Sequence, residues 1–460
     1  MGSCTRRGFL AGAGAAAGLA AAEMGRRTAH AAAPPRKNIL LFVADDLGRN
    51  DAGCYGNAAI KTPGLDRLAA SGTRFTNAYC SSPSCSPSRS VILTGMHNHA
   101  NGMYGLQHAE HHFQSFDKVV SLPKRLADRG YRTALAGKYH VWPREAYPFE
   151  VTVQGAPTPD KMAEKCRPVM EAQDGRPFFL YFCTTEPHRP FKHQPEDLTD
   201  PKDVVVPPYL PDTSACRAEL ARYYASVRQA DRALERLLDL LDETGHREDT
   251  LVLFVSDNGI PFPGAKTNVY EPGVNLPCVA RVPDAPNPGG VCGAFVSWAD
   301  ITPTLCAWAG VPVDADDVQG RSFLEAMREE RPAGWDTVYG SHTFHQVTMY
   351  YPMRWVREGK WKLIWNLANG LSFPFANDLW ESETWQDFRK RGDEVYGKRR
   401  LDAYLNRPPL ELYDLEADPD EIHNLADDPA HAETLQRLHA SLKAFQERTA
   451  DPWVIKWEHE

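Results

Sequence analysis

Four short apolar runs, each closing on ionisable or amide residues, constrain this chain more than anything else in it. Lys37–Ala44 (KNILLFVA) ends in Asp45-Asp46, and Thr133–Ala136 ends in Gly137-Lys138-Tyr139-His140. Phe178–Cys183 (FFLYFC) ends in Thr184-Thr185-Glu186-Pro187-His188, and Thr250–Val255 (TLVLFV) ends in Ser256-Asp257-Asn258-Gly259. A continuous apolar run without alternation is what a strand buried on both faces requires. A fifth, weaker run, Pro277–Val282, is expected to pair at a sheet edge. Helical patterns lie between the runs. Thr62 caps and Pro63 opens one that Gly72 stops. In Ala218–Thr244, Leu220, Tyr224, Val227, Ala230, Leu234, Leu237 and Leu241 recur at helical spacing. This alternation predicts an α/β fold, a mostly parallel sheet flanked by helices. Ligands of such sheets gather beyond the carboxyl ends of the strands. One Asp pair alone is an ordinary turn, whereas four polar clusters at four strand ends read as one crevice.

With 460 residues, 42% of them hydrophobic, the chain can bury a large core. Its formal charge of −9 provides no global basic field for nucleic acid or an anionic membrane, so no nucleic-acid partner is expected. An anionic substrate must then be held by local cations. Residues 1–33 carry Arg6-Arg7 after Thr5 and before Phe9-Leu10, then an Ala/Gly run and the small-residue site Ala29-His30-Ala31. This resembles a twin-arginine export signal, which implies an extracellular or periplasmic destination. The run is too short and too rich in Gly and Ala for a stable membrane anchor. Of ten cysteines, Cys4 belongs to the signal, and the spacings match no zinc knuckle. Mostly free thiols are expected, with Cys54, Cys80 and Cys292 in loop-like contexts where they could pair.

The sharpest motif is Cys85-Ser-Pro-Ser-Arg-Ser-Val-Ile-Leu-Thr-Gly95. Ser86 is expected to cap, and Pro87 to open, a helix through Leu93, setting Cys85 against the positive helix end. A structural cysteine or a low-pKa thiol would fit that position as well. The full pattern C-x-P-S-R-x-x-x-L-T-G resembles the modification signature of the type I sulfatases. That resemblance implies that a formylglycine-generating enzyme oxidises Cys85 to formylglycine (3-oxoalanine), an aldehyde that hydrates to a geminal diol. One hydroxyl would attack sulfur, and the second would let the sulfated intermediate expel sulfate; a plain Ser offers only the first step. The resemblance further implies that Asp45, Asp46, Asp257, Asn258 and an oxygen of the modified Cys85 bind one Ca²⁺. Arg89 and Lys138 would be cations around the diol and sulfate, and His140 would orient the diol or take its proton. His188 and Lys266 would bind sulfate, with His188 donating the proton to the leaving group.

The later sequence agrees with the family. Trp361–Ile364, Leu412–Leu415, Asp418-Pro419 and Asn424–Ala426 resemble its C-terminal subdomain, a small α+β unit closed by a helix at Ala432–Thr449. The expected organisation is therefore an export signal at 1–33, a catalytic domain at 37–315 and a C-terminal subdomain at 335–460. Asn101–Leu106, His111–Phe113, Ser115–Val119, Ser256–Pro263, Val347–Met349, Tyr351–Arg354 and Asp451–Val454 look like the heparan N-sulfatase (sulfamidase) branch. That branch implies a sulfated saccharide substrate, terminal N-sulfoglucosamine, and suggests a homodimer. One position departs from it: the sulfamidase pattern has Arg where this chain has Lys266, a compact charge in place of a planar fork. His342 and His345 are candidates for sugar contact. Alternative readings are an O-sulfatase on another sulfated sugar and a phosphonate or phosphate diester hydrolase. Readings from another class are a non-catalytic sugar-binding relative, or an enzyme whose Cys85 stays unmodified because its host lacks the converting enzyme.

Overall fold

The computed structural model describes residues 37–285 and 287–459. The expected export signal lies outside the described residues. The apolar runs become the centre of an eight-stranded sheet. Its strands are β1 (Asn38–Ala44), β2 (Thr73–Tyr79), β3 (Arg132–Gly137), β4 (Val151–Val153), β5 (Phe178–Cys183), β6 (Thr250–Ser256), β7 (Cys278–Arg281) and β8 (Gly290–Ser297). They are ordered β4-β3-β5-β1-β6-β7-β2-β8. All pairings are parallel except those of β7, which runs antiparallel to both β6 and β2. The fifth run is thus not at an edge: β7 lies inside the sheet, and all four of its residues are buried. The true edges are β4 and β8. β8 alternates between buried and part-exposed positions, as does the first half of β2, and this hid both from a search for continuous apolar runs.

Alternate residues of β1 feed two cores. Ile39, Leu41 and Val43 pack with the helices Cys85–Thr94 and Ile301–Ala309. Leu40, Phe42 and Ala44 pack with the helices Pro63–Ser71 and Ser214–Glu243. A strand with helices on both faces must be apolar at every position, which is why its sequence lacks alternation. The long helix begins four residues before the expected Ala218, because Thr213 caps it by accepting a hydrogen bond from the Cys216 N–H at 3.2 Å.

A second, antiparallel sheet is ordered Leu410–Asp414, Trp361–Asn366, Tyr350–Glu358, Thr337–Phe344. One face packs Val356, Leu363 and Leu412 on Leu438, Leu442 and Phe445 of the closing helix Ala432–Arg448. The other face sends Tyr351, Met353, Trp355 and Ile364 into the core of the first sheet. All nine described cysteines are free, so the pairing considered for Cys54, Cys80 and Cys292 does not occur. Cys80 and Cys292 instead direct their sulfurs to the carbonyls of Gly273 and Ala326. Among the described residues no helix is long and apolar enough to cross a membrane.

Candidate active site

Strand register brings the four polar clusters to one level. Gly137 of β3 pairs with Cys183 of β5, Val43 of β1 also pairs with Cys183, and Ala44 pairs with Ser256 of β6. The ladder continues one residue further: Lys138 N–H donates to Cys183 O, Thr184 N–H to Val43 O and Asp257 N–H to Ala44 O. Lys138, Asp45 and Asp257 therefore leave the sheet side by side. At Gly137, φ is +86° and a Cβ would lie 2.0 Å from Cys183 O, so only glycine allows the turn that presents Lys138. Asp46 adopts a left-handed φ of 69°, a conformation an L-residue holds only when its surroundings enforce it. Here the Asp46 N–H donates to Asp257 Oδ1 at 3.0 Å.

The nucleophile helix starts earlier than expected. Ser84, not Ser86, occupies the capping position, and Cys85 is the first helical residue. Ser86 turns aside, its hydroxyl accepting from the Gln107 N–H. Gly95 ends the helix in the left-handed conformation. Burial pushes the Cys85 thiol well above its ordinary pKa, even with Lys138 and Lys266 nearby. The low-pKa thiol reading thus loses its physical basis.

Four groups, Asp45, Asp46, Cys85 and Asp257, bring ligand atoms within 4.8 Å of one another, all buried. Asn258 joins them: its Nδ2 donates to Asp46 Oδ1 at 2.6 Å, while its Oδ1 is buried without a hydrogen-bond partner. Asp45 Oδ1 is buried and equally unpartnered. Orphaned buried oxygens are rare and costly, and the carboxylates of Asp45, Asp46 and Asp257 with the amide oxygen of Asn258 form a hard-oxygen donor set that fits Ca²⁺. Burial and the charge of Asp45 push the Asp257 carboxyl up to about 7. Burial raises Asp45 too, but Lys138, His188 and Arg89 outweigh it and hold that group well below the carboxylate range.

The cations come from different elements: Lys138 follows β3, Arg89 lies on the nucleophile helix, Lys266 lies between β6 and the helix Glu271–Val274, and His188 follows β5. Lys138 Nζ lies 2.6 Å from Asp45 Oδ2, and Arg89 Nε lies 2.9 Å from Asp257 Oδ2. Lys266 Nζ lies 2.9 Å from both Asp46 Oδ2 and Asp378 Oδ2. His188 directs Nε2 toward the same two carboxylates, at 3.7 and 3.9 Å, while its Nδ1 meets Arg189 O. His140 stands at φ 54° with Nε2 against His108 Nδ1, and its Nδ1 is buried without a partner. Burial, reinforced by Lys138 and Arg89, lowers its pKa well below the ordinary value, which favours the neutral imidazole.

His345 places Nδ1 2.8 Å from Ser84 Oγ, at the start of the nucleophile helix. His342 is set apart: it is 1% exposed, its charged neighbours are Arg354 and Arg407, and burial lowers its pKa to about 3. Sequence reasoning did not find Asp378. It lies in the short helix Asn377–Trp380, 112 residues after the Lys266 it contacts, with no motif around it. His108, the partner of His140, precedes the His111–Phe113 stretch by three residues but carries no spacing signal of its own.

The fold, the carboxylate cluster and its cations define a hydrolase built to hold an oxyanion, and known proteins agree. The sulfatase family model matches residues 37–311, and the chain belongs to the sulfatase family of sulfate hydrolases. A second family model, "N-sulphoglucosamine sulphohydrolase, C-terminal", matches residues 265–381. The N-sulphoglucosamine sulphohydrolase of Homo sapiens is 41% identical, covering 91% of this chain and 91% of its own. The ulvan-active sulfatase of Formosa agariphila is 29% identical, covering 90% of this chain and 81% of its own. Solved structures share the fold. One, a complex with its substrate D-glucosamine-2-N,6-O-disulfate, aligns with a TM-score of 0.70 at 22% identity, covering 92% of this chain and 100% of that chain. The phosphonate monoester hydrolase of Agrobacterium radiobacter aligns with a TM-score of 0.69 at 19% identity, covering 90% of this chain and 96% of that chain.

Proposed function

We propose that this sulfatase hydrolyses the N-sulfate of terminal N-sulfoglucosamine in heparan-type glycans. The observation that carries this reading is the 41% identity, over 91% of both chains, to the human N-sulphoglucosamine sulphohydrolase. In the net reaction, water adds across the S–N bond: R–NH–SO₃⁻ and H₂O give R–NH₃⁺ and SO₄²⁻. The S–N bond breaks as an S–O bond forms, and the electron pair passes to nitrogen, which takes up protons.

This chain's own residues divide the work. Lys266 and His188 hold the sulfonate oxygens. His188 donates from Nδ1 to Arg189 O, so its Nε2 edge faces the site, and in the doubly protonated ring Nε2–H supplies the proton to the departing nitrogen. His140, neutral and with a free Nδ1, accepts a proton on the nucleophile side. Arg89 and Lys138 hold Asp257 and Asp45 in place. Asp45, Asp46, Asp257 and Asn258 would hold a Ca²⁺. When present, the ion supplies Lewis-acid charge beside the sulfonate, and a formylglycine made from Cys85 supplies the oxygen nucleophile that the thiol position marks. Cys85 is 1% exposed, so a converting enzyme must reach it before the chain folds. That order suits modification in the cytoplasm followed by twin-arginine export of the folded enzyme.

A desulfation panel tests the function: N-sulfoglucosamine, 6-O-sulfated glucosamine, an aryl sulfate and an aryl phosphate diester. The highest kcat/KM is expected on N-sulfoglucosamine, with equal release of sulfate and amine. A preference for any other member of the panel overturns the reading.

A further inference from the structure

Asp378 has no place in the division of labour above, yet its carboxylate lies within 4.8 Å of the Asp46 carboxylate and the His188 ring nitrogen. Only one of its oxygens is used: Oδ2 takes the hydrogen bond from Lys266 Nζ at 2.9 Å and faces His188 Nε2 at 3.9 Å. Oδ1 makes no hydrogen bond among the described residues, and the side chain keeps 21% of its surface exposed. The carboxylate is fixed rather than floating. Its backbone lies in the helix Asn377–Trp380, anchored by buried Ala376 and Leu379 and by the Asn377 N–H donating to Gln346 Oε1 at 3.3 Å.

A fixed carboxylate with a free oxygen is an unexpected neighbour for a pocket that binds an anion. It repels a sulfonate wherever Lys266 does not intervene. Its use must lie with another part of the substrate, beside the atom that His188 protonates. There a sulfamate and a sulfate ester differ in one respect: the bridging nitrogen of the sulfamate carries a hydrogen, and the bridging oxygen of the ester carries only lone pairs. Protonation of the nitrogen, which precedes or accompanies transfer of the S–N electron pair to it, makes its N–H a stronger donor, while an ester oxygen takes the electron pair with no hydrogen to offer.

Resting on the N-sulfatase reading above, we propose that Asp378 Oδ1 accepts the N–H of the scissile sulfamate and so selects nitrogen over oxygen leaving groups. Toward nitrogen the carboxylate supplies a charge-assisted hydrogen bond that strengthens as the amine forms. Toward oxygen it sets lone pair against lone pair, and the resulting repulsion does as much for selectivity as the attraction. Lys266 serves both substrates through the sulfonate, so Asp378 also positions it, and that second role must be separated from the first.

The ratio of kcat/KM on N-sulfoglucosamine to kcat/KM on an aryl sulfate makes the separation, because displaced Lys266 lowers both terms. In Asp378→Asn the ratio is expected to fall about 10- to 100-fold, the effect of one charge-assisted hydrogen bond. Asp378→Glu is expected to recover part of it, and the loss on N-sulfoglucosamine should lie mainly in kcat. Equal losses on both substrates, with the ratio unchanged, overturn the assignment and leave Asp378 as a support for Lys266. A wild-type enzyme that does not prefer N-sulfoglucosamine overturns the N-sulfatase reading and this proposal together. The wild-type arm thus distinguishes the two failures.

Discussion

Arg89 donates from Nε to Asp257 Oδ2 at 2.9 Å, with both side chains fully buried. The same guanidinium lies 3.6 Å from Asp45 Oδ1, so one cation serves two carboxylates at the heart of the site. Removing one partner of a buried pair leaves an uncompensated charge, a loss of about 3–5 kcal/mol. Arg89→Ala is expected to unfold at correspondingly lower denaturant concentration and to lose activity in the folded fraction. Arg89→Lys should recover stability better than activity, since Lys cannot present the planar fork. Unfolding of Arg89→Ala within about 1 kcal/mol of wild type would contradict the pairing.

Asp45 Oδ1 and Asn258 Oδ1, both buried without a hydrogen bond, predict that the folded protein binds Ca²⁺. A ligand that binds only the native state adds about 2.7 kcal/mol at a concentration of 100 times its Kd. The melting temperature should therefore rise as Ca²⁺ is added to chelator-treated protein. In Asp257→Ala the rise should vanish together with activity. Calorimetric titration of the apo protein reads binding without recourse to turnover, and an unchanged affinity in Asp257→Ala would remove that residue from the site.

Much of this site was legible in the sequence, for a physical reason. Strands buried on both faces must be continuous apolar runs, so Ile39–Ala44, Phe179–Cys183 and Leu251–Val255 declared themselves, and polar residues at their ends had to mark the crevice. The interior position of β7 was not legible, because a four-residue strand carries no signal of direction or neighbour. The start of the nucleophile helix was missed by two residues, since Pro87 is tolerated in the first turn as well as at its opening. Asp378 was invisible because its role comes from tertiary packing of a short helix beside Lys266, a juxtaposition that no local spacing encodes.

Mass spectrometry of the tryptic peptide Phe75–Arg89 tests the chemistry at Cys85. In protein from the native host, the CH₂SH side chain should be replaced by an aldehyde, detectable also by reaction with a hydrazide. Cys85→Ser should fold normally, because the pocket accepts a smaller polar group, and should turn over no substrate after the first attack. A peptide that always carries the intact thiol, in an enzyme that remains fully active, would refute the formylglycine mechanism.

Lys362 ties the second sheet to the short helix Glu271–Val274, which precedes β7. Its ammonium, buried in the second sheet, lies 3.0 Å from Glu271 Oε1 and 2.9 Å from Glu421 Oε1. Lys362→Met is expected to destabilise the protein by about 3–5 kcal/mol by leaving the buried Glu421 and the part-buried Glu271 without their cation. Adding Glu421→Gln to that variant should restore part of the loss, because Glu421 is the carboxyl that burial pushes up to about 7. A double variant no more stable than Lys362→Met alone would show that the triad is not coupled in this way.

Asp51 gives the stability a pH dependence of definite sign. Burial pushes its carboxyl up to about 7, with only the Tyr223 hydroxyl at 3.3 Å to oppose the shift. The ordinary value of an unfolded Asp is about 3.9, so between there and neutrality the folded chain holds a proton that the unfolded chain releases. Folding is therefore favoured as pH falls from about 7 toward 4, and this contribution fades as pH rises through the folded-state value. Asp51→Asn removes the ionisation while keeping the side chain's size. Its melting temperature should exceed that of wild type at pH 8, by a stabilisation of up to about 4 kcal/mol at ~1.36 kcal/mol per pKa unit, and the two proteins should converge near pH 4, the unfolded-state value. A constant difference between them across that range would mean that Asp51 does not change its protonation on folding.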